Sequence, residues 1–147
     1  MRELQILIFK LGNQLWGMDI RYVKEVVKVK QYTEIPNAPM HVLGVFNLRG
    51  QIVPLLNLAS ILGVNLEGKS KAIVLELDDE AFGVIVEEVL GVIRISESSI
   101  EPPPPNAGDY IRGVIKHEDT LVNVIDIEKI IEHISYTEAV ALSLIHI

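Results

Sequence analysis

The sequence predicts a mainly β protein built as two similar small barrels, and three observations predict it. Short apolar runs alternate with frequent turn residues, helix signals are scarce, and one pattern of about five strand candidates occurs twice. Strands this short favour small closed barrels over open sheets, because closure leaves no exposed edge. With 147 residues, 49% of them apolar and 22% charged, the chain can bury a sizeable interior and is globular rather than disordered.

In chain order, Leu4 to Phe9 is an apolar, strand-like run that ends at the turn cluster Leu11-Gly12-Asn13-Gln14. Trp16-Gly17-Met18-Asp19-Ile20 then resumes with alternating large apolar residues, completing a first hairpin. Val23, Val26, Val27 and Val29 surround Glu25 with more branched apolar surface than one strand face can bury. That surplus is either core or an exposed strip of the kind protein contacts use. From Gly44 to Leu58 two apolar runs flank the polar tip Asn47-Leu48-Arg49-Gly50, a hairpin that presents an arginine. Pro54 lies inside the second of these runs and must occupy an edge or a bulge, because it has no N–H to give to a ladder. Asn57 caps a short helical turn through Leu58, Ile61 and Leu62, which Gly63 stops.

The pattern then returns. Ala72 to Leu77, the turn Asp78-Asp79-Glu80 and Phe82 to Val86 repeat the first hairpin, with Gly83 standing 66 positions after Gly17. At the same offset Trp16 meets Phe82, Val23 meets Val89 and Val26 meets Val92. Pro36-Asn37-Ala38 recurs as Pro105-Asn106-Ala107, 69 positions later, and at that offset Gly44-Val45 meets Gly113-Val114, Val53 meets Val122 and Ile61 meets Ile130. The change of offset places three extra residues in the second copy at or just before Pro102 to Pro105. This proline run reads as a stiff connector rather than as a ligand for a proline-binding domain. The two lobes are expected at about 4–66 and 70–135, with a boundary near Gly63 to Ser70. Asp126 caps a helix from Ile127 to Ser135 whose Ile127, Ile130, Ile131 and Ile134 form one stripe for packing across the lobes. The apolar tail, residues 138–147, reads as an unstructured end or an expression remnant rather than a partner-binding extension.

Composition removes several function classes. The net charge is −7, from 13 basic and 20 acidic side chains, and no basic stripe is present to neutralise a phosphate backbone. Nucleic acid is therefore not an expected partner. No apolar run approaches the roughly 20 residues that cross a bilayer, and Met1-Arg2-Glu3 leads into a strand without a signal-peptide layout, so no membrane insertion is expected and the location is expected to be cytoplasmic. The absence of cysteine excludes disulfides, thiolate metal sites and cysteine nucleophiles. His41, His117, His133 and His146 stand in no metal-binding frame, and no nucleophile elbow or phosphate-cradling loop occurs. No metal, cofactor or catalytic residue is expected, and a binding module is favoured over an enzyme.

The binding site is sought where the copies differ. The tip Asn47-Leu48-Arg49-Gly50 is replaced by Lys116-His117-Glu118-Asp119, and Glu25 by Gly91, so both members of a possible Glu25–Arg49 ion pair are absent together from the second copy. The pair is predicted to form. Its role is to fix the hairpin tip beside an apolar patch, against the bland alternative that Gly50 merely makes the turn and Arg49 is solvated.

These residues are also familiar as a set. The phrase from Gly44 to Leu58 resembles the central signature of the CheW family of bacterial chemotaxis coupling proteins. So do Trp16 to Ile20 with Val23 and Glu25, the run from Phe82 to Gly91, and the ending from Val122 to Ile130. The resemblance implies a CheW-like domain over residues 1–137, folded as two five-stranded SH3-like barrels around a shared core. It implies a non-catalytic adaptor joining the histidine kinase CheA, through that kinase's related regulatory domain, to the cytoplasmic tips of chemoreceptors in membrane arrays. A receptor tip would dock in the groove between the lobes, which Val23, Glu25, Gly44, Val45 and Arg49 would line or brace, with Asn47, Leu48 and Gly50 completing the tip. The kinase surface is placed only loosely, around Gly83, Gly91 and Gly113. The chain's extent favours a free-standing adaptor over a domain of the kinase. The runner-up is a small β-barrel enzyme or ligand-binding protein that uses the groove as a pocket.

Overall fold

Ten strands form two five-stranded sheets in the computed structural model, which describes residues 2–38, 40–68, 71–77, 79–130 and 132. The strands are β1 (Glu3–Leu11), β2 (Gln14–Asp19), β3 (Val23–Lys28), β4 (Val42–Leu48), β5 (Gln51–Leu56), β6 (Lys71–Leu77), β7 (Glu80–Val86), β8 (Glu88–Ser96), β9 (Ile111–His117) and β10 (Thr120–Ile125). A helix α1 (Leu58–Leu62) follows β5, and residues 127–130 and 132 are helical after β10. The expected C-terminal helix is present in this part; its remainder, with Ile131 and Ile134, and the apolar tail lie outside the described residues.

The sheet orders are β8-β1-β2-β10-β9 in barrel A and β3-β6-β7-β5-β4 in barrel B. The expected lobes of about 4–66 and 70–135 are therefore not the barrels. Each half of the chain gives its first hairpin to the sheet built by the last three strands of the other half. Connection length explains the exchange. A single residue, Glu87, separates β7 from β8, and the three-residue 3₁₀ turn Ile20–Tyr22 separates β2 from β3. With one linking residue β8 cannot turn back on β7, since a hairpin needs about two, so it crosses to β1 instead.

Burial says why the first hairpins take the centre of each sheet. Along β1, Leu4, Ile6 and Ile8 fill the interior of barrel A, while Leu7, Phe9 and Leu11 enter a second core between the sheets. A strand apolar on both faces belongs in the middle of a sheet that is covered on both sides. Barrel B repeats this with Ala72 and Val74 inside and Ile73 and Leu75 in the shared core. That shared core also receives Trp16, Phe82, Ile125, Ile127 and Ile130, which joins both sheets and the last helix. The sharing of a core follows the sequence expectation.

Each ring is completed by one bridge. After β3 the chain returns to β4, where Thr33 N donates to Val45 O at 2.8 Å and Val45 N to Thr33 O at 2.9 Å. After β8, Glu101 and Val114 exchange the same two bonds at 2.9 Å each. The backbones approach so closely that a Cβ on Gly44 would lie 2.1 Å from Thr33 O, and one on Gly113 would lie 2.3 Å from Glu101 O. This bridge also accommodates Pro54. It pairs with Val45, whose own N–H and C=O point to Thr33, so the Pro54 nitrogen faces β7, where pairing begins only at Leu55. Both expected caps form: Ser60 N donates to Asn57 Oδ1 and Lys129 N to Asp126 Oδ1, each at 3.2 Å.

Candidate functional site

The arginine hairpin joins β4 to β5 through Arg49 and Gly50, whose φ values of 50° and 88° are those of a two-residue type I′ turn. Gly50 N donates to Asn47 Oδ1 at 2.7 Å, which fixes the turn from within. Leu48 is buried in the interior of barrel B and anchors the tip, while Asn47, Arg49 and Gly50 are exposed. Of the expected tip residues, Leu48 is thus support and the other three are surface.

Glu25 approaches the tip from β3. Along this strand Val23, Glu25 and Val27 are half-buried while Lys24, Val26 and Lys28 are exposed, so the carboxylate stands on the inward face, opposite Val74. Arg49 Nη1 donates to Glu25 Oε1 at 2.9 Å and Nη2 donates to Oε2, a bidentate clamp that ties the β4–β5 tip to β3. The hydrogen bond from Arg49 holds the Glu25 carboxyl below the usual glutamate range, and the carboxylate in turn raises the guanidinium. The predicted pair is present. Two of the five guanidinium N–H groups are engaged, and the side chain remains 64% exposed, so the others face outward.

The valines around Glu25 divide. Val23 packs on the shared core, Val27 and Val29 on the interior of barrel B, and only Val26 is markedly exposed, so the set is mostly core. Val45 is half-buried and lines a shallow hollow with Tyr32, Thr33, Asn47 and Ile52. Gly44 is buried at the ring-closing bridge and has the same role as its counterpart Gly113, which marks it as a fold residue. The three glycines expected near the kinase surface do not gather. Gly83 is buried in barrel B, where a Cβ would lie 2.8 Å from the Phe46 ring; Gly113 is buried in barrel A; Gly91 alone is exposed.

A second polar cluster escaped the sequence reading. Asp19 is 4% exposed and accepts from Arg21 N at 3.0 Å, Nε at 2.9 Å and Nη2 at 2.7 Å. Burial pushes this carboxyl up, but the Arg21 hydrogen bonds and charge, with Arg112 beyond, outweigh it and leave the carboxyl below its ordinary value. Next to it Tyr22 donates its hydroxyl to Glu128 at 2.9 Å, tying the start of β3 to the last helix. The signal in the sequence was the Asp-x-Arg spacing after an apolar strand, which fits a capped turn as well as an ion pair.

His41 Nδ1 lies 2.6 Å from Ser60 Oγ, but that hydroxyl donates to Asn57 O at 2.8 Å and so accepts from the imidazole, which is then no base for it. Among the described residues no group of three or more His, Asp or Glu side chains is placed to hold a metal, and no helix is long and apolar enough to cross a membrane.

Comparison with known proteins agrees with the geometry. The CheW-like domain matches residues 5–135. The chain is 35% identical over 144 residues to the chemotaxis protein CheW of Thermotoga maritima, covering 95% of each. It is 34% identical over 139 residues to that of Treponema pallidum, covering 87% of this chain and 82% of the relative. The crystal structure of the scaffolding protein TtCheW from Thermoanaerobacter tengcongensis superposes with a TM-score of 0.75 at 37% identity, covering 85% of each chain.

Proposed function

Because the chain belongs to the CheW-like domain family, we propose that it is a non-catalytic scaffold of chemotaxis signalling that couples the histidine kinase CheA to the cytoplasmic tips of chemoreceptors. The observation that carries this reading is the Glu25–Arg49 clamp, present in one half of an internal repeat and absent from the other. An ion pair that the repeat's fold does not require, with guanidinium donors still facing outward, is a recognition element. On this reading Glu25 holds the Arg49 fork rigid before a partner arrives, so little side-chain entropy is lost on docking. Val23, Val26 and Val45 supply apolar surface beside it, and a receptor tip brings the acceptor groups. The kinase's regulatory domain occupies a separate surface, so that both partners are held at once at the membrane receptor array.

The test is retention of a receptor cytoplasmic fragment and of the kinase regulatory domain on the immobilised full chain. The unaltered chain is expected to retain both, and Arg49→Glu to weaken receptor retention about tenfold or more while circular dichroism is unchanged. In a double-mutant cycle the losses from Glu25→Ala and Arg49→Ala are expected to be strongly non-additive. Unchanged receptor retention in Arg49→Glu, or strict additivity, removes the clamp from recognition. Retention of neither partner by the unaltered chain overturns the adaptor reading.

A further inference from the structure

The positions of barrel A that correspond to the Glu25–Arg49 clamp of barrel B border an open hollow. In barrel B, Glu25 pairs across the ladder with Val74, and Arg49 from the β4–β5 turn grips its carboxylate. In barrel A the counterpart of Val74 is Ile8, and it pairs with Gly91, the counterpart of Glu25. The counterpart of Arg49 is Glu118, at the β9–β10 turn. Both groups that form the clamp are therefore exchanged at matched positions, one for no side chain and the other for the opposite charge.

What remains is a half-open hollow of about 310 Å³, at the lower limit for a ligand site. Its walls are Ile8, Leu15 and Ile93, which belong to or pack against the interior of barrel A, and its rim carries Leu90, Gly91 and Glu118. Leu90 is 51% exposed, and the Glu118 side chain is 85% exposed. Gly91 has a φ of 142° and open space beyond it, a backbone state that disfavours a side chain at this position. The opening is thus built into the strand. At the rim His117 Nε2 lies 4.0 Å from Glu118 Oε1, and on the same turn, outside the hollow's lining, Lys116 Nζ lies 3.8 Å from Asp119 Oδ1.

We propose that this hollow is a socket for an arginine side chain carried by a protein partner, with the Glu118 carboxylate accepting the guanidinium. The occupant follows from the molecule's own template, since the matched positions in barrel B hold a guanidinium gripped by a carboxylate. Size and chemistry agree with it. The apolar walls suit the methylene stem, and the weakly hydrated planar head tolerates apolar neighbours better than an ammonium does. Here the acid comes from the tip and the cation must come from outside. The inference does not depend on the adaptor reading, because it concerns a different barrel and needs neither kinase nor receptor.

The experiment is a nitrogen-15 NMR titration of the full chain with N-acetyl-arginine amide, beside the neutral isostere N-acetyl-citrulline amide. Arginine is expected to shift the amides of Gly91, Ile93 and Thr120, citrulline to leave them in place, and Glu118→Gln, which keeps the fold and the shape, to weaken the arginine response about fivefold. Equal responses to the two probes, an unchanged response in Glu118→Gln, or shifts centred on Glu25 and Arg49 instead would each overturn the proposal. As a check that does not rely on removing charge, Ile93→Phe is expected to fill the hollow and abolish the arginine shifts while its own spectrum remains dispersed; persistence of those shifts also overturns it.

Discussion

The two hairpin tips are one backbone with two chemistries. Arg49 and Gly50 have φ values of 50° and 88°, Glu118 and Asp119 values of 48° and 63°, and each tip joins antiparallel strands through the same two-residue turn. Their side chains part ways: one tip folds a guanidinium onto Glu25, while the other leaves a carboxylate beside an open mouth. What both copies retain is required by the fold, and what only one retains is available for recognition. This rule sorts the candidate residues better than proximity does. It assigns Gly44 with Gly113, and Gly83 with Gly17, to the fold, and leaves Glu25, Arg49 and Asp19 to be explained otherwise.

The severest challenge to the rule lies at the shared glycines. If the ring-closing bridge is common to both barrels, Gly44→Ala and Gly113→Ala should be similarly damaging, although they sit in different sheets. Each places a methyl group against a carbonyl oxygen and forces apart two backbone hydrogen bonds, so each should cost about 3 kcal/mol. Gly44→Ala should be the worse of the two, because its φ of 156° adds strain to the collision. Urea unfolding measures both. A loss below about 1 kcal/mol at either position means that the barrel closes without the bridge and that the two halves are less alike than their sequences.

Legibility in the sequence followed the same division. The strands, about five in each copy, could be read from apolar runs and their repetition, because burial on both faces leaves a direct compositional trace in strands such as β1 and β6, whereas the shared core came with the family resemblance. The pairing of halves could not be read, since each copy supplies the same strands whether its first hairpin stays at home or crosses over. The decisive signal was the single residue between β7 and β8, a matter of connection length rather than of periodicity. The clamp was legible because Glu25 and Arg49 vanish together from the second copy. The glycines expected around the kinase surface differ in setting: a glycine inside a recurring phrase marks a close backbone approach, and Gly83 and Gly113 are buried by those approaches. Asp19 was overlooked because a lone carboxylate at a strand end carries no sign of being buried.

Asp19 supplies the second test, of intermediate size. Its counterpart under the repeat is Ile85, so the buried carboxylate with Arg21 belongs to one half only. Asp19→Asn keeps the shape and removes the charge, and should cost about 1–3 kcal/mol at neutral pH through the weakened bonds to Arg21. The folded carboxyl sits below its unfolded value, so its stabilisation is complete above about pH 4, the unfolded range for aspartate, and is lost as pH falls through the folded value. The gap between the unaltered chain and Asp19→Asn should therefore narrow in unfolding curves taken near pH 3. A gap independent of pH means that the loss comes from packing and not from the ion pair.

The smallest effect separates the turn from its cargo. Glu118 and Asp119 both occupy the left-handed region, which costs an ordinary side chain about 1–2 kcal/mol and asparagine or glycine much less. Replacing them with Asn-Gly, the preferred pair for this turn, should stabilise the chain by about 1 kcal/mol. Arg49→Asn makes the other turn Asn-Gly as well and should relieve a similar backbone strain, yet it discards the clamp. The two substitutions should then agree in sign for stability and disagree for binding: Glu118→Asn with Asp119→Gly leaves receptor retention intact, while Arg49→Asn weakens it, though less than Arg49→Glu does. If Arg49→Asn instead retains the receptor fragment fully, its left-handed strain serves nothing, and the arginine tip is as dispensable as its counterpart.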